Sequence, residues 1–267
     1  MDIEKIEVKE KYVKIVCVDE TDKLTFKIAI DDYLKERYDV DQKLSDEQLD
    51  KLQHYHRYYY CFTRCLNKLN SRDYTVKEIE TYLKKYGDLS QSEKQEIVSD
   101  LSSYGYLQDE SVAESQLYID QYHLVGKKNS ARELKKRGVD KKVIEEVLSQ
   151  VDESEEKQRA IQKGQQLLKG CKDKSYKETI YYIKNKLMLA GFSDVNEVIE
   201  QLDIEFDQEK EERLLENQFN KLKKKYEKKY SGKALYNAYY QYLANKGFES
   251  SMITTKLSKE EEQNEDK

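Results

Sequence analysis

Two stretches of this sequence concentrate lysine and arginine, the side chains that bind phosphate groups and acidic protein surfaces. Residues Lys127–Lys142 include eight basic and two acidic residues, and residues Lys221–Lys233 include seven lysines and one glutamate. The whole chain has a net charge of −5, but exposed charges act locally, within a screening length of about 8–10 Å. Both stretches are therefore predicted to contact nucleic acid or an acidic partner.

Helical spacing sharpens the prediction for the first stretch. Arg132, Lys135 and Lys136 recur at three and four residues, so they share one helix face, and Leu134 falls on another. Cations at a helix C-terminus also complement the helix dipole, which accounts for residues 135–137 but not for Lys127, Lys128, Lys141 and Lys142. The candidate contact residues of both stretches are Lys127, Lys128, Arg132, Lys135, Lys136, Arg137, Lys141, Lys142, Lys223, Lys224, Lys225, Lys228 and Lys229.

The second stretch is expected to form one helix from Lys221 to Lys233, with two tyrosines among its lysines. Tyr226 and Tyr230 lie one turn apart, and aromatic rings beside cations are typical of proteins that bind single strands by base stacking. The same two tyrosines also continue an apolar stripe that begins at Leu215. We favour inward packing for the tyrosines and leave stacking on bases as the alternative.

A metal site is the sharpest alternative chemistry in the sequence. His54, Cys61 and Cys65 fall on one helix face, because seven and four residues separate them. A structural zinc site usually has four ligands, however. The two cysteines also fit a buried stripe shared with Tyr58 and Phe62. We favour that interpretation and expect no metal.

Catalytic signatures are weak. No glycine-rich phosphate loop follows a strand, and the paired carboxylates Glu145–Glu146 and Glu155–Glu156 are expected on solvated faces, where they would be poor general acids and bases. We expect neither an enzyme nor a cofactor.

Composition predicts small helical modules in the cytoplasm. The chain has 267 residues, with 37% hydrophobic and 38% charged residues and no proline. Low hydrophobic content favours modules with thin cores, and the lack of proline leaves helices uninterrupted. The four cysteines show no disulfide pattern, and no segment is apolar enough for a signal peptide or a membrane span.

The first 30 residues differ from the rest of the chain. Residues 12–18 and 24–30 are rich in β-branched and aromatic residues, and the second segment alternates apolar and polar positions. They predict a small antiparallel sheet, to which residues 3–8 add a further candidate strand. Helices follow, and Ser45 and Thr75 are predicted to cap the first two long ones.

One pattern recurs four times: a leucine followed four residues later by a glycine at a predicted helix end. The glycines, Gly87, Gly138, Gly191 and Gly247, are 51, 53 and 56 residues apart. Such a period predicts a tandem array of three-helix repeats, elongated and curved, each repeat gaining stability from its neighbours. We divide the chain into an N-terminal β element with a linker, four repeats and an acidic disordered tail, at residues 1–44, 45–109, 110–152, 153–206, 207–258 and 259–267.

The central part of the sequence resembles the RecX family. "LNSRDYTVKEIETYL" (69–83) is similar to the family segment Leu-Ser-x-Arg-x-x-Ser/Thr-x-x-Glu-Ile-x-x-Tyr-Leu. "SSYGYLQDESVAESQLY" (102–118) resembles its Gly-Tyr-Leu-Asn-Asp segment followed by Phe-Ala, and "GKKNSARELKKRGVDKKVIEEVL" (126–148) its Gly-Pro-x-x-Ile-x-x-Glu-Leu-x-x-Lys-Gly segment. Gln108, Val112 and Lys127 depart from the family's usual Asn, Phe and Pro.

The resemblance implies a regulator of homologous recombination and DNA repair rather than an enzyme. RecX proteins are helical-repeat proteins that bind the RecA recombinase in the groove of its filament on single-stranded DNA. They inhibit strand exchange and ATP hydrolysis, an activity connected with the SOS response, and many also bind DNA directly. The partners implied here are the RecA filament, single-stranded DNA and, as a further candidate, double-stranded DNA. Separately from the resemblance, we expect a monomer. The alternative is a DNA-binding protein that acts alone through modules resembling helix-turn-helix units.

Overall fold

The structure, a computed structural model, describes residues 1–265 and consists of a small sheet followed by helices. Three strands, β1 (Asp2–Val8), β2 (Val13–Val18) and β3 (Lys23–Ile28), form an antiparallel sheet in the order β1-β2-β3. The predicted sheet is confirmed, including its additional first strand. Phe26 and Ile28 are buried against Leu52, whereas Leu24, expected on the same face, is 39% exposed.

The helices come in the expected groups of three. Helix α1 (Ile30–Glu36) leads from the sheet to four triplets, whose bounds are α2 (Asp46–Leu69), α3 (Val76–Leu83) and α4 (Gln91–Ser103); α5 (Asp109–Tyr122), α6 (Lys127–Arg137) and α7 (Lys141–Ser149); α8 (Glu153–Lys169), α9 (Tyr176–Leu189) and α10 (Val195–Gln201); α11 (Gln208–Tyr226), α12 (Gly232–Asn245) and α13 (Ser250–Glu265). The mainly α fold of three-helix repeats is confirmed. The elongated, curved shape and the exact repeat boundaries stay predictions.

The chain forms two compact units. Unit 1 contains Met1–Ser115 and Glu133–Val147, and unit 2 contains Gln116–Arg132 and the chain from Leu148 onward. Unit 1 has one core under the sheet and another among α2, α3 and α4, and unit 2 has one core around α8 to α10 and another around α11 to α13. The first, third and fourth triplets thus each bury a separate core, whereas the helices of the second triplet, α5 to α7, are divided between the two units.

Capping side chains begin several of these helices. The Ser45 and Thr75 hydroxyls accept the amide N–H of Gln48 and Glu78, and both capping boxes are complete. Ser90 and Ser175 cap α4 and α9 in the same way, by accepting an N–H from the third helical residue. The predicted caps at Ser45 and Thr75 are confirmed. They were predictable because the first N–H groups of a helix have no partner within the helix, and a nearby side chain can accept them.

The C-terminal end corrects the sequence interpretation. Helix α13 continues to Glu265, so the predicted disordered tail is wrong for residues 259–265. Its anchor is Glu260, whose carboxylate binds Lys223 at 2.7 Å and Lys256 at 2.9 Å and so holds the charged end of α13 against α11. Asp266 and Lys267 lie outside the described residues.

Three close contacts, here called joints, connect the middle helices of successive repeats. At the α3–α6 joint, Thr75 Oγ1 donates to the Arg137 carbonyl at 2.7 Å. At the α9–α12 joint, Ser175 Oγ donates to the Lys246 carbonyl at 2.6 Å. At the α6–α9 joint, the Gly126 N–H donates to the Ala190 carbonyl at 2.8 Å. In each joint the start of one middle helix therefore meets the end of the next middle helix.

A carboxylate from the next repeat completes each joint by accepting the first N–H of the middle helix. Asp109 accepts from the Val76 N–H at 2.9 Å, Glu156 from Lys127 at 2.9 Å and Glu211 from Tyr176 at 2.6 Å. The partial positive charge of a helix N-terminus attracts a carboxylate oxygen, although at Glu211 the cost of burying the charge is the larger effect and raises the pKa. Glu156 is 9% exposed, so its expected place on a solvated face is wrong.

The repeated glycines lie at these joints. Gly138, Gly191 and Gly247 have φ values of +90°, +92° and +85°, which glycine adopts without strain. A Cβ at these positions would lie 2.5 Å from Lys77 Cβ, 2.6 Å from the Asn129 backbone N and 2.8 Å from Ser175 Oγ, respectively. These three glycines therefore end helices, as predicted, and also let consecutive repeats approach closely.

Gly87 differs from the other three. Helix α3 ends at Leu83, so the predicted helix end at Gly87 is wrong. The φ of Gly87 is not positive, and a Cβ there would meet nothing within 4 Å.

Candidate partner and nucleic-acid interface

The candidate cations of α6 and α7 that belong to unit 1 differ in which other groups of the protein bind them. Lys135 and Lys136 are exposed, and Lys136 lies 3.7 Å from Glu133. Lys141, also exposed, lies 3.2 Å from Glu145. Lys142 is exposed too, and its backbone N–H is capped by Asp140. These four lysines remain candidate contacts, since an exposed ion pair restrains a lysine only weakly.

Arg137 is bound by other residues of unit 1. Its side chain is 14% exposed and lies 3.2 Å from Glu78, and it also donates to the Asp73 carbonyl at 3.0 Å. Burial alone would raise the pKa of Glu78, but hydrogen bonds from Arg137, the Thr75 amide and Arg72 outweigh it and lower that pKa. The structure therefore assigns Arg137 a structural contact at the α3–α6 joint.

The candidate cations of α6 that belong to unit 2 are Lys127, Lys128 and Arg132. Lys128 and Arg132 are exposed, and Arg132 donates to the Asn129 side chain at 2.9 Å. Lys127 is half-buried, and its backbone N–H is bound by Glu156. The exposed pair fits the expected contact role, while Lys127 also contributes to the α6–α9 joint.

The second basic stretch is not one continuous helix. Helix α11 ends at Tyr226, where the N–H groups of Lys229 and Tyr230 both donate to the Tyr226 carbonyl and close a turn. The expected helix to Lys233 is therefore wrong. Lys224 and Lys225 are exposed on the last turn of α11, and the turn that follows exposes two more candidate lysines, Lys228 and Lys229. Lys223 is half-buried and bound to Glu260.

The two tyrosines of this stretch have different surroundings. The Tyr226 ring stacks on Tyr239 with centroids 5.8 Å apart, and its edge meets Tyr242. Inward packing is confirmed for Tyr226. Tyr230 is 45% exposed and touches Tyr226 edge to face at 5.7 Å, so it keeps an accessible ring.

The metal candidates are structural side chains of unit 1. Cys61 and Cys65 are 3% and 0% exposed in the core that also includes Tyr58 and Phe62, so the buried-stripe interpretation is confirmed. Burial raises the pKa of the Cys65 thiol to about 12. His54 Nδ1 lies 3.1 Å from Glu93. Within residues 1–265, no group of three or more His, Cys, Asp or Glu residues is arranged to hold a metal ion.

Glu93 connects α4 to α2. Burial alone would raise its pKa, but hydrogen bonds from Ser90, His54 and Arg57 lower it to about 2. The ionised carboxylate therefore stabilises the first repeat, because it satisfies the cap of α4 and Arg57 together. His54 thus contributes to the contact between α2 and α4.

A cleft in unit 1 places the candidate Lys136 beside three lysines that the sequence analysis missed, Lys68, Lys77 and Lys85. It has a volume of about 360 Å³ and lies beside the α3–α6 joint. We call it the lysine cleft, after Lys68, Lys77, Lys85 and Lys136; it is also lined by Tyr74, Glu78, Thr81, Tyr82 and Arg137.

The chain is similar over nearly its full length to curated proteins named Regulatory protein RecX. It is 30% identical over 263 residues to the protein of Streptococcus gordonii, which covers 96% of this chain and 98% of the relative. The protein of Streptococcus sanguinis is 28% identical with the same coverage. The chain belongs to the RecX family. The resemblance drawn from residues 69–148 is thereby confirmed.

Solved structures of RecX proteins share the fold. One crystal structure of regulatory protein RecX matches with a TM-score of 0.63 and 19% identity, covering 76% of this chain and 99% of its own. RecX from Lactobacillus salivarius matches with a TM-score of 0.51 and 24% identity, covering 55% and 97%. No protein-family model matches the chain. Among residues 1–265, no helix is long and apolar enough to cross a bilayer.

Part of the lysine cleft could have been predicted from residue spacing in this RecX sequence. Tyr82 and Lys85 are three residues apart, a spacing that puts both on one side of a helical segment. Lys68 and Lys136 lie on other helices, 14 and 54 residues from Tyr82, so no local spacing connects them. Only the α3–α6 joint brings Lys136 to the cleft.

Proposed function

We propose that this protein binds the RecA filament on single-stranded DNA and inhibits its ATPase and strand exchange. The observation that carries the proposal is the similarity across 96% of the chain to proteins named Regulatory protein RecX. The protein acts without catalytic chemistry of its own, as a cytoplasmic monomer that restrains homologous recombination. The contact residues are the exposed candidate cations, without Arg137, which is bound to Glu78.

Inhibition by occlusion suits a chain of repeats. Exposed cations lie on α6, α7 and the end of α11, so several repeats contribute contacts to one polyanionic filament. Each contact alone is weak, because exposed charges gain little in water. Contacts on one chain add through effective concentration, so the whole protein binds firmly where a single repeat would not.

The test is the DNA-dependent ATPase of RecA titrated with this protein. We expect the rate to fall as the protein is added, and the double variant Lys135→Gln/Lys136→Gln to need more protein for the same inhibition. The control, Lys169→Gln/Lys172→Gln, removes two charges outside the candidate set and should inhibit like the wild type. An unchanged ATPase rate with excess wild-type protein would rule out the proposal.

The same variants separate this function from stand-alone DNA binding. Binding to DNA without RecA should weaken steeply between about 50 and 200 mM salt. If Lys135→Gln/Lys136→Gln abolishes DNA binding but leaves RecA inhibition intact, direct DNA contact is secondary to recombinase contact. If the wild type binds DNA and never affects RecA, the stand-alone alternative replaces the proposal.

A further inference from the structure

The lysine cleft of unit 1 is a positively charged concavity. Its walls are the end of α2 with Lys68, helix α3 with Lys77 and Tyr82, Lys85 just after α3, and the last turn of α6 with Lys136. At about 360 Å³ it falls within the lower range of sites that take small ligands.

The charge of the cleft is not neutralised from within. Its only lining carboxylate, Glu78, binds Arg137 at 3.2 Å and Arg72 at 3.0 Å and accepts the Thr75 N–H. Lys77 and Lys136 each form an exposed salt bridge with a glutamate of their own helix, at 3.4 and 3.7 Å, and such pairs restrain a lysine only weakly. Among the described residues, Lys68 and Lys85 form no salt bridge.

Lys68 is held in position by aromatic rings. Its ammonium lies 3.2 Å from the Tyr74 hydroxyl and 4.3 and 4.9 Å from the ring centroids of Tyr74 and Tyr82. Arg72 covers Tyr74 at 3.9 Å and fixes that ring in turn. A cation that is already ordered loses less side-chain entropy when it binds an anion.

The cleft presents lysine rather than arginine to an incoming anion. An arginine fork holds carboxylate or phosphate in a planar, bidentate arrangement, whereas a lysine ammonium acts as a point charge and is a common phosphate contact. The one arginine that lines the cleft, Arg137, is occupied by Glu78, so an incoming anion meets lysine ammonium groups. The tyrosines are covered by cations, so the cleft offers charge more than a stacking surface.

The geometry points to the lysine cleft as a binding site for backbone phosphates of single-stranded nucleic acid, with Lys68, Lys85 and Lys136 as its phosphate contacts. A single strand bends easily enough to place a phosphate in a concave site. This inference deepens the proposed function, on which it rests for its biological setting, and it adds Lys68 and Lys85 to the contact surface. Its test needs no recombinase.

The experiment measures binding of full-length protein to a fluorescent oligothymidine by anisotropy, over a range of salt concentrations. Each single variant, Lys68→Gln, Lys85→Gln or Lys136→Gln, should weaken binding about fivefold at 0.1 M salt, which corresponds to one released counterion on a single strand. The triple variant should lower the slope of log affinity against log salt by about 2.

Matched controls remove the same charge elsewhere. Lys84→Gln changes an exposed neighbour of Lys85 outside the cleft, and Lys94→Gln changes a half-buried lysine on α4. Both should bind oligothymidine within about twofold of the wild type, since each leaves the cleft intact. If the cleft variants and these controls bind alike, the inference is overturned. Lys85→Gln alone keeps the test valid if Lys68→Gln disturbs folding.

Two competition experiments identify the ligand of the cleft. A poly-glutamate peptide of equal charge should compete weakly; competition stronger than that of unlabelled oligothymidine would assign the cleft to an acidic protein segment and overturn the inference. Inorganic phosphate should compete only at concentrations where equal ionic strength of chloride does so too. Full displacement below that level would assign the site to free phosphate and overturn it as well.

Failure of the inference and failure of the proposed function give different results. Intact RecA inhibition by the triple variant, together with unchanged oligothymidine binding, would overturn the cleft and leave the proposed function standing. Loss of oligothymidine binding in the triple variant, with no RecA inhibition by the wild type, would support the cleft and rule out the proposed function.

Discussion

The α3–α6 joint of unit 1 and the α9–α12 joint of unit 2 share one design. In both, a capping hydroxyl donates to the carbonyl before a glycine, and a glutamate three residues later binds a cation of the next repeat. The matching residues are Thr75, Lys77, Glu78, Tyr82, Arg137 and Gly138 in the first joint and Ser175, Lys177, Glu178, Tyr182, Lys246 and Gly247 in the second.

The surroundings of the two joints differ. Lys177 lies 3.6 Å from Glu249, a residue of the next repeat. Asn185 and Asn245 stand in the positions of Lys85 and Lys136. The matching residues build the contact between repeats, and the differing residues decide the charge beside it. Function is therefore to be sought where the two joints differ.

The largest expected effect concerns the glycines that the two joints share. Gly138→Ala and Gly247→Ala should each lower the free energy of unfolding by about 3 kcal/mol, because a positive φ strains alanine and its Cβ would overlap the facing helix. Gly87→Ala should change it by less than about 0.5 kcal/mol, since Gly87 has open space and no positive φ. Urea unfolding of the three variants measures this. Equal midpoints for all three would show that glycine is not needed at the joints.

A smaller effect concerns the joint carboxylates. Glu211 is 2% exposed, and burial raises its pKa, whereas the matching Asp109 is half-buried. A raised pKa means that the folded state binds the proton more tightly. The stability contributed by protonated Glu211 is thus present below the ordinary pKa of about 4.5 and lost as the pH rises through the folded value.

Glu211→Gln keeps an oxygen for the Tyr176 N–H and removes the ionisation. We expect it to raise stability at pH 7 by up to about 1 kcal/mol, with a smaller difference at pH 4. Asp109→Asn is the matched variant and should give no such gain. Urea unfolding at both pH values measures this; a clear loss of stability in Glu211→Gln at pH 7 would show that the charge itself holds the joint.

The smallest effect is spectroscopic and concerns a residue without a counterpart. Hydrogen bonds with Ser71 and Lys68 lower the pKa of Tyr74 to about 8, and the corresponding position of unit 2 is Lys174. Ultraviolet titration should show one tyrosine ionising near pH 8, with a stability contribution that rises as the pH increases from 8 to 10. Tyr74→Phe should abolish that transition, and Tyr104→Phe should leave it. If the transition near pH 8 persists in Tyr74→Phe, it belongs to another tyrosine.

Local features of the fold were predictable because local spacing governs them. The caps at Ser45 and Thr75 and the inward leucines at Leu83 and Leu134 follow from side chains within one helical turn. The sheet follows from strand alternation. The helical end of the chain was not predictable in this way, because Glu260 is held by Lys223, 37 residues away.

The sequence by itself determined the family, the four triplets of helices and the two basic stretches. Only the tertiary structure decided which cations remain accessible. Arg137 and Lys136 are neighbours in one helix, yet Arg137 is bound to Glu78, 59 residues away, and Lys136 faces an open cleft. Sequence spacing places a side chain on a helix face, but its electrostatic partner comes from whichever element packs there.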